Sequence, residues 1–481
     1  MDETLKVQIE AFLKPSSVAV VGASDRIGSW GSILMNGLKY WDFPGALYPV
    51  NQKAETVGGL RAYPDLEAIP GAVDLALLAV PAEVIRETVL ACARKKIRAV
   101  AVIAAGFGEA VEGGREQELE LAAIARANGM RILGPNVSGA FNLHARFNAS
   151  AAPPNRLHPT AVSAVCQGSY AIYDLVISGY WRKMGIGQFV QTGNECDLDV
   201  NDFLEYFGED PRTGAVVMYL ETLRNVKRFR EVAGRVARQK PVIVQKVGRT
   251  PGGARAARSH TGALAGDHSF YEGLFRQLRI VQSPSMERLI PLGNAFLKLP
   301  AVKGDRVAII TMGGSWGVAL TDLLEERGLR VPELGTSVQG ALRELGLPAR
   351  ASTRNPIDIG AAASVAFSPG AVEGMARAVL SSGEVDALVL HGFGRLAFIA
   401  QDPESTQIIV EMEKEVMRSC ARLQEKYGLP VLIASAVLPS HGPAVREVLE
   451  EGVTVYHQLE EIADILALKR GYDGSTMESI L

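Results

Sequence analysis

The sequence predicts an α/β protein built on doubly wound parallel sheets, and three observations carry that expectation. Short β-branched runs alternate with amphipathic segments from beginning to end. The runs close on glycine or proline, as strands buried on both faces of a parallel sheet do. Glycine is plentiful, at 49 residues, while aromatics make up 6%, a mixture that suits strand-to-helix turns better than an all-β sandwich or a coiled coil.

The first block reads SVAVVG (17–22), LYPV (47–50), DLALLAV (74–80), AVAVIAAG (99–106) and RILG (131–134). Between these strands, AEVIRETVLACARKK (82–96) and GREQELELAAIARANG (114–129) have helical spacing. The Pro-rich stretch AAPPNRLHPT (151–160) breaks the pattern and reads as a linker. A second block follows, with strands near 161–166, 187–192, 214–220 and 241–246. KLPAVKGDR (298–306) is a second linker, and a third block runs through VAIIT (307–311), ALVLHG (387–392) and PVLIASA (430–436). The domains expected are 1–150, 160–298 and 305–475, matching the roughly three cores that 481 residues call for. The second and third blocks begin alike, each as strand, Gly-Ser turn, helix and glycine, which is consistent with duplication of one α/β unit. Any two strand–helix units share that much, so the similarity alone leaves both origins open.

Fifty basic and 53 acidic side chains give a formal charge of −3, which offers no global attraction for nucleic acid or anionic lipid. No apolar run approaches the roughly 18 residues of a membrane-spanning helix, and the N-terminal segment lacks a signal-peptide core. Cys92, Cys166, Cys196 and Cys420 are scattered and form no CxxC pair. A disulfide framework and structural zinc are therefore unsupported, and a reducing cytoplasm is the expected setting.

Two segments carry chemistry. In VAVVGASDRIGSWG (18–31), Gly22 ends a strand and Gly28 and Gly31 follow, so backbone can approach a phosphate beside a helix N-terminus. The spacing departs from GxGxxG. A nicotinamide site would also want an acidic residue after the second strand, where this chain has Asn51 and Lys53. A lysine suits a ligand with an additional phosphate, such as the 3′-phosphate of coenzyme A, and NADP fits that residue as well. A tight turn without any ligand is the plain alternative.

The other segment is KPVIVQKVGRTPGGARAARSHTGALAGDHSFYEGLF (240–275), where a buried strand enters a glycine-rich loop carrying His260 between Ser259 and Thr261. Ten basic residues and one acidic residue, Glu231, lie between Lys227 and Arg258, an excess that could attract a phosphoryl group. Over Lys227–Lys240 the spacing reads as the solvated face of a helix. A histidine flanked by small residues has room for a second molecule beside its ring. Imidazole attacks phosphorus when one nitrogen is unprotonated and the other is held by an acceptor. Glu221, ending the strand AVVMYLE (215–221), is a candidate acceptor.

Together, GASDRIGSWG, the YPVN turn, GPNVSG (134–139), GNECDLDVNDFLEYF (193–207), ARAARSHTGALAG (254–266) and NPIDI (355–359) resemble the NDP-forming acyl-CoA synthetases. This superfamily includes ADP-forming acetyl-CoA synthetase and succinyl-CoA synthetase, and the resemblance runs through essentially the whole chain. It implies a Rossmann-like CoA-binding domain followed by two flavodoxin-like domains. His260 would be the phosphohistidine and Glu221 would hold its far nitrogen. Coenzyme A would meet Gly22, Ala23, Ser24, Gly28, Gly31, Asn51, Lys53, Pro81, Gly106, Glu109 and Asn136. Phosphate and acid would meet Gln167, Gly168, Ser169, Tyr173, Gly193 and Asn194. The implied reaction converts a carboxylic acid, CoA and ATP into acyl-CoA, ADP and phosphate, or runs in reverse, through phosphohistidine and an acyl phosphate.

Three departures stand out. Cys166-Gln167-Gly168-Ser169 replaces the family's Ser-Gln-Ser-Gly, Val137 stands where cysteine is common, and Gly314-Ser315-Trp316-Gly317 replaces a proline-bearing turn. No ATP-grasp segment is recognisable, so the resemblance implies an α subunit. A separate ATP-grasp β subunit would then hold most of the ATP/ADP and Mg2+ contacts. Two other readings stay open at this point: a catalytically silent CoA-binding regulator or scaffold, and a nicotinamide-dependent oxidoreductase, which Asn51 disfavours.

Overall fold

A computed structural model describes residues 1–168, 171–261, 268–360, 368–399 and 402–473. They form two compact units, Met1–Tyr180 with Met184–Asn294, and Trp181–Lys183 with Ala295–Leu481. Ser169 and the 262–267 segment lie outside the described residues, as does the side chain of His260.

The first unit holds two large sheets and a short hairpin. In the first sheet β1 (Ser17–Val21), β2 (Ala46–Val50), β5 (Leu75–Leu78), β6 (Ala99–Val102) and β7 (Arg131–Leu133) run parallel in the order β2-β1-β5-β6-β7. The hairpin is β3 (Thr56–Val57) with β4 (Leu60–Arg61). The second sheet is formed by β8 (Gly139–Asn142), β9 (Phe147–Ser150), β10 (Val162–Cys166), β11 (Gln188–Gln191), β12 (Ala215–Leu220), β13 (Val242–Lys246) and β14 (Val281–Gln282). Its order is β14-β13-β12-β10-β11-β8-β9. The strands β10 to β14 are parallel, whereas β8 and β9 join antiparallel at the edge, with Phe141 opposite Phe189. Pairing therefore changes sheet at Gly139, and the last strands of the expected 1–150 segment belong to the second sheet.

The second unit repeats the pattern with β15 (Val307–Thr311), β16 (Ile357–Asp358), β17 (Ala387–His391), β18 (Val431–Ala434) and β19 (Val455–Tyr456), in the order β16-β15-β17-β18-β19. Among the parallel strands of each sheet, the first lies between the second and third. Strand order thus reverses beside it, which opens a crevice at the carboxyl ends of β1, β10 and β15. The first sheet has this order too, so it does not set the second and third blocks apart as a duplicated pair.

Packing explains why the first two sheets make one unit. A single apolar cluster runs from Phe12, Val18 and Leu34 through Phe147 and Val165 to Phe203 and Phe229. Phe147 of β9 meets Phe43 edge-on, with ring centres 5.9 Å apart. Burying side chains of this size contributes about 1.5–3 kcal/mol each, so the two sheets share much of their stabilisation.

The basic residues between 227 and 240 do form a helix face, on Val226–Val236. Arg228 donates to Asp202 at 2.6 Å and Arg235 pairs with Glu205, so the acidic helix Val200–Glu209 neutralises part of that face.

Candidate functional site

Gly22 follows β1 with φ +86°, and a Cβ there would collide with the carbonyl of Ala79. Gly31, one residue into the helix Trp30–Tyr40, packs directly on Gly22, since its own Cβ would strike the Gly22 carbonyl. Ser29 caps that helix by accepting the Ser32 amide at 3.2 Å. Asn51 braces the turn: Nδ2 donates to the Ala23 carbonyl at 2.8 Å, and Oδ1 accepts the amides of Lys53 and Ala54 at 2.9 Å each. Asn51 thus shapes the crevice in place of the acidic side chain that would hold ribose hydroxyls.

An outer cavity of about 610 Å3 opens here, lined among others by Gly22, Asn51, Lys53, Pro81 and Arg94. An inner cavity of about 480 Å3 adjoins it, and Val80 and Pro81 line both. Asn136, Gln167, Gly168, Gly193 and Asn194 also line the inner one, which places residues of both sheets around one cleft. Ala23, Ser24, Gly28 and Gly31 support the turn without lining either cavity: Ala23 is buried, Ser24 accepts the Arg26 amide at 3.0 Å, and Gly28 has φ +80°.

The segment after β11 stitches the two sheets together. Asn194 and Cys196 donate their amides to the carbonyls of Pro135 and Gly134 at 3.0 Å each, and Leu198 donates to Ile132 at 3.2 Å. Gly193, at φ +60°, lies so close to Pro135 that a Cβ would overlap the Pro135 carbonyl. Asp197, with a side chain fully buried, accepts Arg131 Nε at 2.8 Å, Arg126 Nε at 2.7 Å and the Ile132 amide at 2.9 Å.

Glu109 lies behind the cavity wall, accepting the Gly106 amide at 2.6 Å and Asn194 Nδ2 at 2.5 Å. Burial raises its carboxyl, but those amides and Asn194 outweigh burial and leave it below its ordinary value. Asn194 donates to Glu118 too, at 2.7 Å, so Gly106 and Glu109 fix the turn and do not line the inner cavity.

Gln167, immediately after β10, is 3% exposed. Its Oε1 accepts the amides of Glu221 and Thr222 at 2.7 and 2.9 Å, while Nε2 donates to Glu195 Oε2 at 3.2 Å. Glu195 also accepts Thr192 Oγ1 at 2.9 Å and the Val200 amide at 3.2 Å, with Arg224 Nε 3.7 Å away. Burial, reinforced by the charge of Asp199, pushes its carboxyl up to about 7 despite those donors. Glu221 is buried at the carboxyl edge of β12, and Gln167 connects it to the inner cavity. Cys166, in the altered turn, is buried with its thiol pushed up to about 12 by desolvation, which makes it a packing group rather than a nucleophile.

Two expectations change. His260 stands in the last turn of a helix, Pro251–Thr261, not in an open loop. Pro251 fits the first helical position, Thr250 Oγ1 caps the Gly253 amide at 3.1 Å, and the alanines and arginines that follow favour the helix. Tyr173, expected to touch substrate, lies behind the cavity surface: its hydroxyl is 2.6 Å from Ser138 Oγ and its ring is edge-on to Phe189. Trp30, Ser138 and Gln191 line the inner cavity, and Glu195 and Asp197 hold its turn, although the sequence reading gave none of them a role. The last two stand inside the GNECDLD motif, which was the available signal.

Among the described residues no cluster of His, Cys, Asp and Glu suits a metal ion, and no helix is long and apolar enough to cross a membrane. Residues 16–141 match the family of CoA binding domains, and residues 159–296 match the succinyl-CoA ligase-like flavodoxin domain. Acetate–CoA ligase (ADP-forming) II subunit alpha of Pyrococcus furiosus is 37% identical over 355 residues, covering 74% of this chain and 77% of that protein. The 4-hydroxybutyrate–CoA ligase (ADP-forming) of Nitrosopumilus maritimus is 32% identical over 72% of this chain and 50% of its own length. The dinucleotide-forming acetyl-coenzyme A synthetase 1 of Ca. Korarchaeum cryptofilum, solved with phosphate and ADP, superposes with a TM-score of 0.81 at 30% identity, covering 96% of each chain. The nucleotide-type crevice after β1, the paired cavities and these likenesses converge: the chain belongs to the ADP-forming acid–CoA ligases, in their α-subunit class.

Proposed function

We propose that this chain makes an acyl-CoA from a carboxylic acid, or consumes one, in concert with an ATP-grasp β subunit that binds ATP/ADP and Mg2+. The observation that carries this reading is the pair of cavities, one lined by Lys53 and the other by Gln167, that share Val80 and Pro81. Coenzyme A is a reactant here, and the cleft suits it. Lys53 offers a cation to its phosphates in the outer cavity, where Arg94 is paired with Glu67, and Gly22 lets backbone approach its diphosphate. Its thiol arm then passes Pro81 toward Asn136 in the inner cavity.

In this mechanism a ring nitrogen of His260 takes the phosphoryl group from ATP, releasing ADP, while Glu221 holds the opposite nitrogen and stabilises its proton. The substrate carboxylate attacks the phosphorus, regenerating the histidine and forming an acyl phosphate. The CoA sulfur attacks the acyl carbon, the bond from that carbon to the phosphate oxygen breaks, and phosphate leaves carrying the thiol proton. The amides of Gln167, Gly193 and Asn194 donate to the carbonyls of Tyr219, Gln167 and Pro135, so these two turns shape the wall beside the phosphoryl group rather than supply it with those donors. Each step exchanges one activated bond for another, so the sequence runs in both directions.

The test is to incubate the full chain with an ATP-grasp partner and γ-labelled ATP. An acid-labile, base-stable label that disappears in His260→Asn is expected. Binding of CoA with no label in the presence of a competent partner overturns the catalytic reading and leaves a CoA-binding regulator.

A further inference from the structure

One buried cation takes no part in the steps above. Lys246 ends β13, opposite Leu220 at the carboxyl end of β12, and its side chain is buried. Its Nζ lies 4.5 Å from the centre of the Tyr271 ring and donates to the Val247 carbonyl at 2.6 Å. Tyr271 is in the first turn of the helix His268–Gln277, which follows the segment that carries His260. Lys246 before that segment and Tyr271 after it therefore meet in one buried contact. An ammonium removed from water is attracted to a ring face, so the contact holds the two ends of the segment together.

The same ammonium acts on Glu221, the buried residue just after Leu220, whose carboxylate also hydrogen-bonds the Tyr219 hydroxyl. Among the described residues, the titratable groups facing Lys246 are Glu221 from β12 and Tyr271 from the helix. Burial pulls the ammonium down to about 8, and the charge of Glu221 opposes that pull. The interaction is mutual: a carboxylate buried without a cation is driven to take up a proton, and a neighbouring ammonium resists this. Only the ionised form offers both oxygens to an imidazole N–H.

We propose that Lys246 is a positioning residue for phosphoryl transfer: its ammonium keeps Glu221 ionised to accept the far-nitrogen proton of His260, while its hold on Tyr271 pins the base of the segment that carries the histidine. This deepens the mechanism above and rests on it. Lys246 acts through Glu221 and has no need to touch the phosphoryl group. A lysine that served packing alone would be replaceable by methionine, which keeps the apolar stem and loses the charge.

The experiment measures the rate of label transfer from γ-labelled ATP, with the ATP-grasp partner present, to the unmodified chain, Lys246→Met and Lys246→Arg. Each rate is followed on both sides of pH 8, and CoA binding by calorimetry shows that each chain is folded. Lys246→Met should slow labelling by on the order of tenfold, as removing a neighbouring opposite charge does to a buried carboxylate. In the unmodified chain labelling should fall as pH rises past about 8, where the ammonium is lost. Lys246→Arg should recover most of the rate and carry it past that pH, because a guanidinium stacks on a ring and stays charged. Hydrogen exchange in peptides spanning residues 247–270 should rise severalfold in Lys246→Met and not in Lys246→Arg. Labelling of Lys246→Met as fast as that of the unmodified chain overturns the proposal. A fall past the same pH in Lys246→Arg overturns the role of the charge without any need of the methionine variant. Unchanged exchange in Lys246→Met overturns the hold on the segment. An unmodified chain that binds CoA and takes no label overturns the underlying reading, a result distinct from all of these.

Discussion

Replacing Glu195 with glutamine separates a buried charge from a buried hydrogen-bonding group. The carboxyl, ordinarily near 4.5, is pushed up to about 7 by burial and by Asp199, against the pull of Arg224, Thr192 and Gln167. The folded chain therefore holds this proton more tightly than the unfolded chain does. Its contribution to stability is full below pH 4.5 and is lost as pH rises through 7. At 1.36 kcal/mol per pH unit, a rise from 4.5 to about 7 amounts to about 3 kcal/mol. Glutamine cannot titrate, so the variant lacks this slope. It does carry an offset of about 1–3 kcal/mol, because its amide NH2 faces the Gln167 NH2 where Oε2 accepted at 3.2 Å. Urea unfolding of both proteins from pH 4.5 to 8, followed by hydrogen-exchange mass spectrometry on peptides of the first unit, separates slope from offset. The stability advantage of the unmodified chain should shrink by about 3 kcal/mol across this range. Parallel curves would refute the argument, because Glu195 would then titrate alike folded and unfolded.

Asp197→Ala strips the acceptor from Arg131 and from the Ile132 amide, and should destabilise the first unit by about 3–5 kcal/mol in the same unfolding assay. Arg126 adds little because its side chain is 60% exposed; an unchanged midpoint would contradict this account. Lys53→Met should weaken CoA binding by roughly tenfold while leaving 3′-dephospho-CoA unaffected, measured by calorimetry. Equal losses for both ligands would place the 3′-phosphate away from Lys53.

The three sheets are legible in the sequence because most core strands are short apolar runs, several of them ended by a glycine or proline, and that signal is local. The change of sheet at Gly139 is not local. Strand β8 acquires its place only by pairing with β11, nearly fifty residues later in the chain, so a Pro-rich break after residue 150 looks like the natural boundary. His260 reads as a loop residue because Pro251 and two glycines precede it, yet a first helical turn tolerates all three. Gln167 and Gly193 are recognisable from their turns. Gln191 and Ser138 are not, since only the folded pairing of their segments brings both to the cavity. Trp30 gives no sequence sign beyond a helix start.

The antiparallel pair β8–β9 also limits how this protein can be recombined. A chimaera joined at residue 150 would export the pair with the CoA-binding segment, keeping Phe147 on Phe43 but leaving the free edge of β11 as a template for aggregation. A crossover just before Gly139 would carry both strands along with the sheet they complete. It would instead place the seam across the contacts that Asn194, Cys196 and Leu198 make to residues 132–135, so a donor for the first segment must match the recipient in backbone geometry there and must also keep Arg131, Glu109 and Glu118, whose side chains bond Asp197 and Asn194.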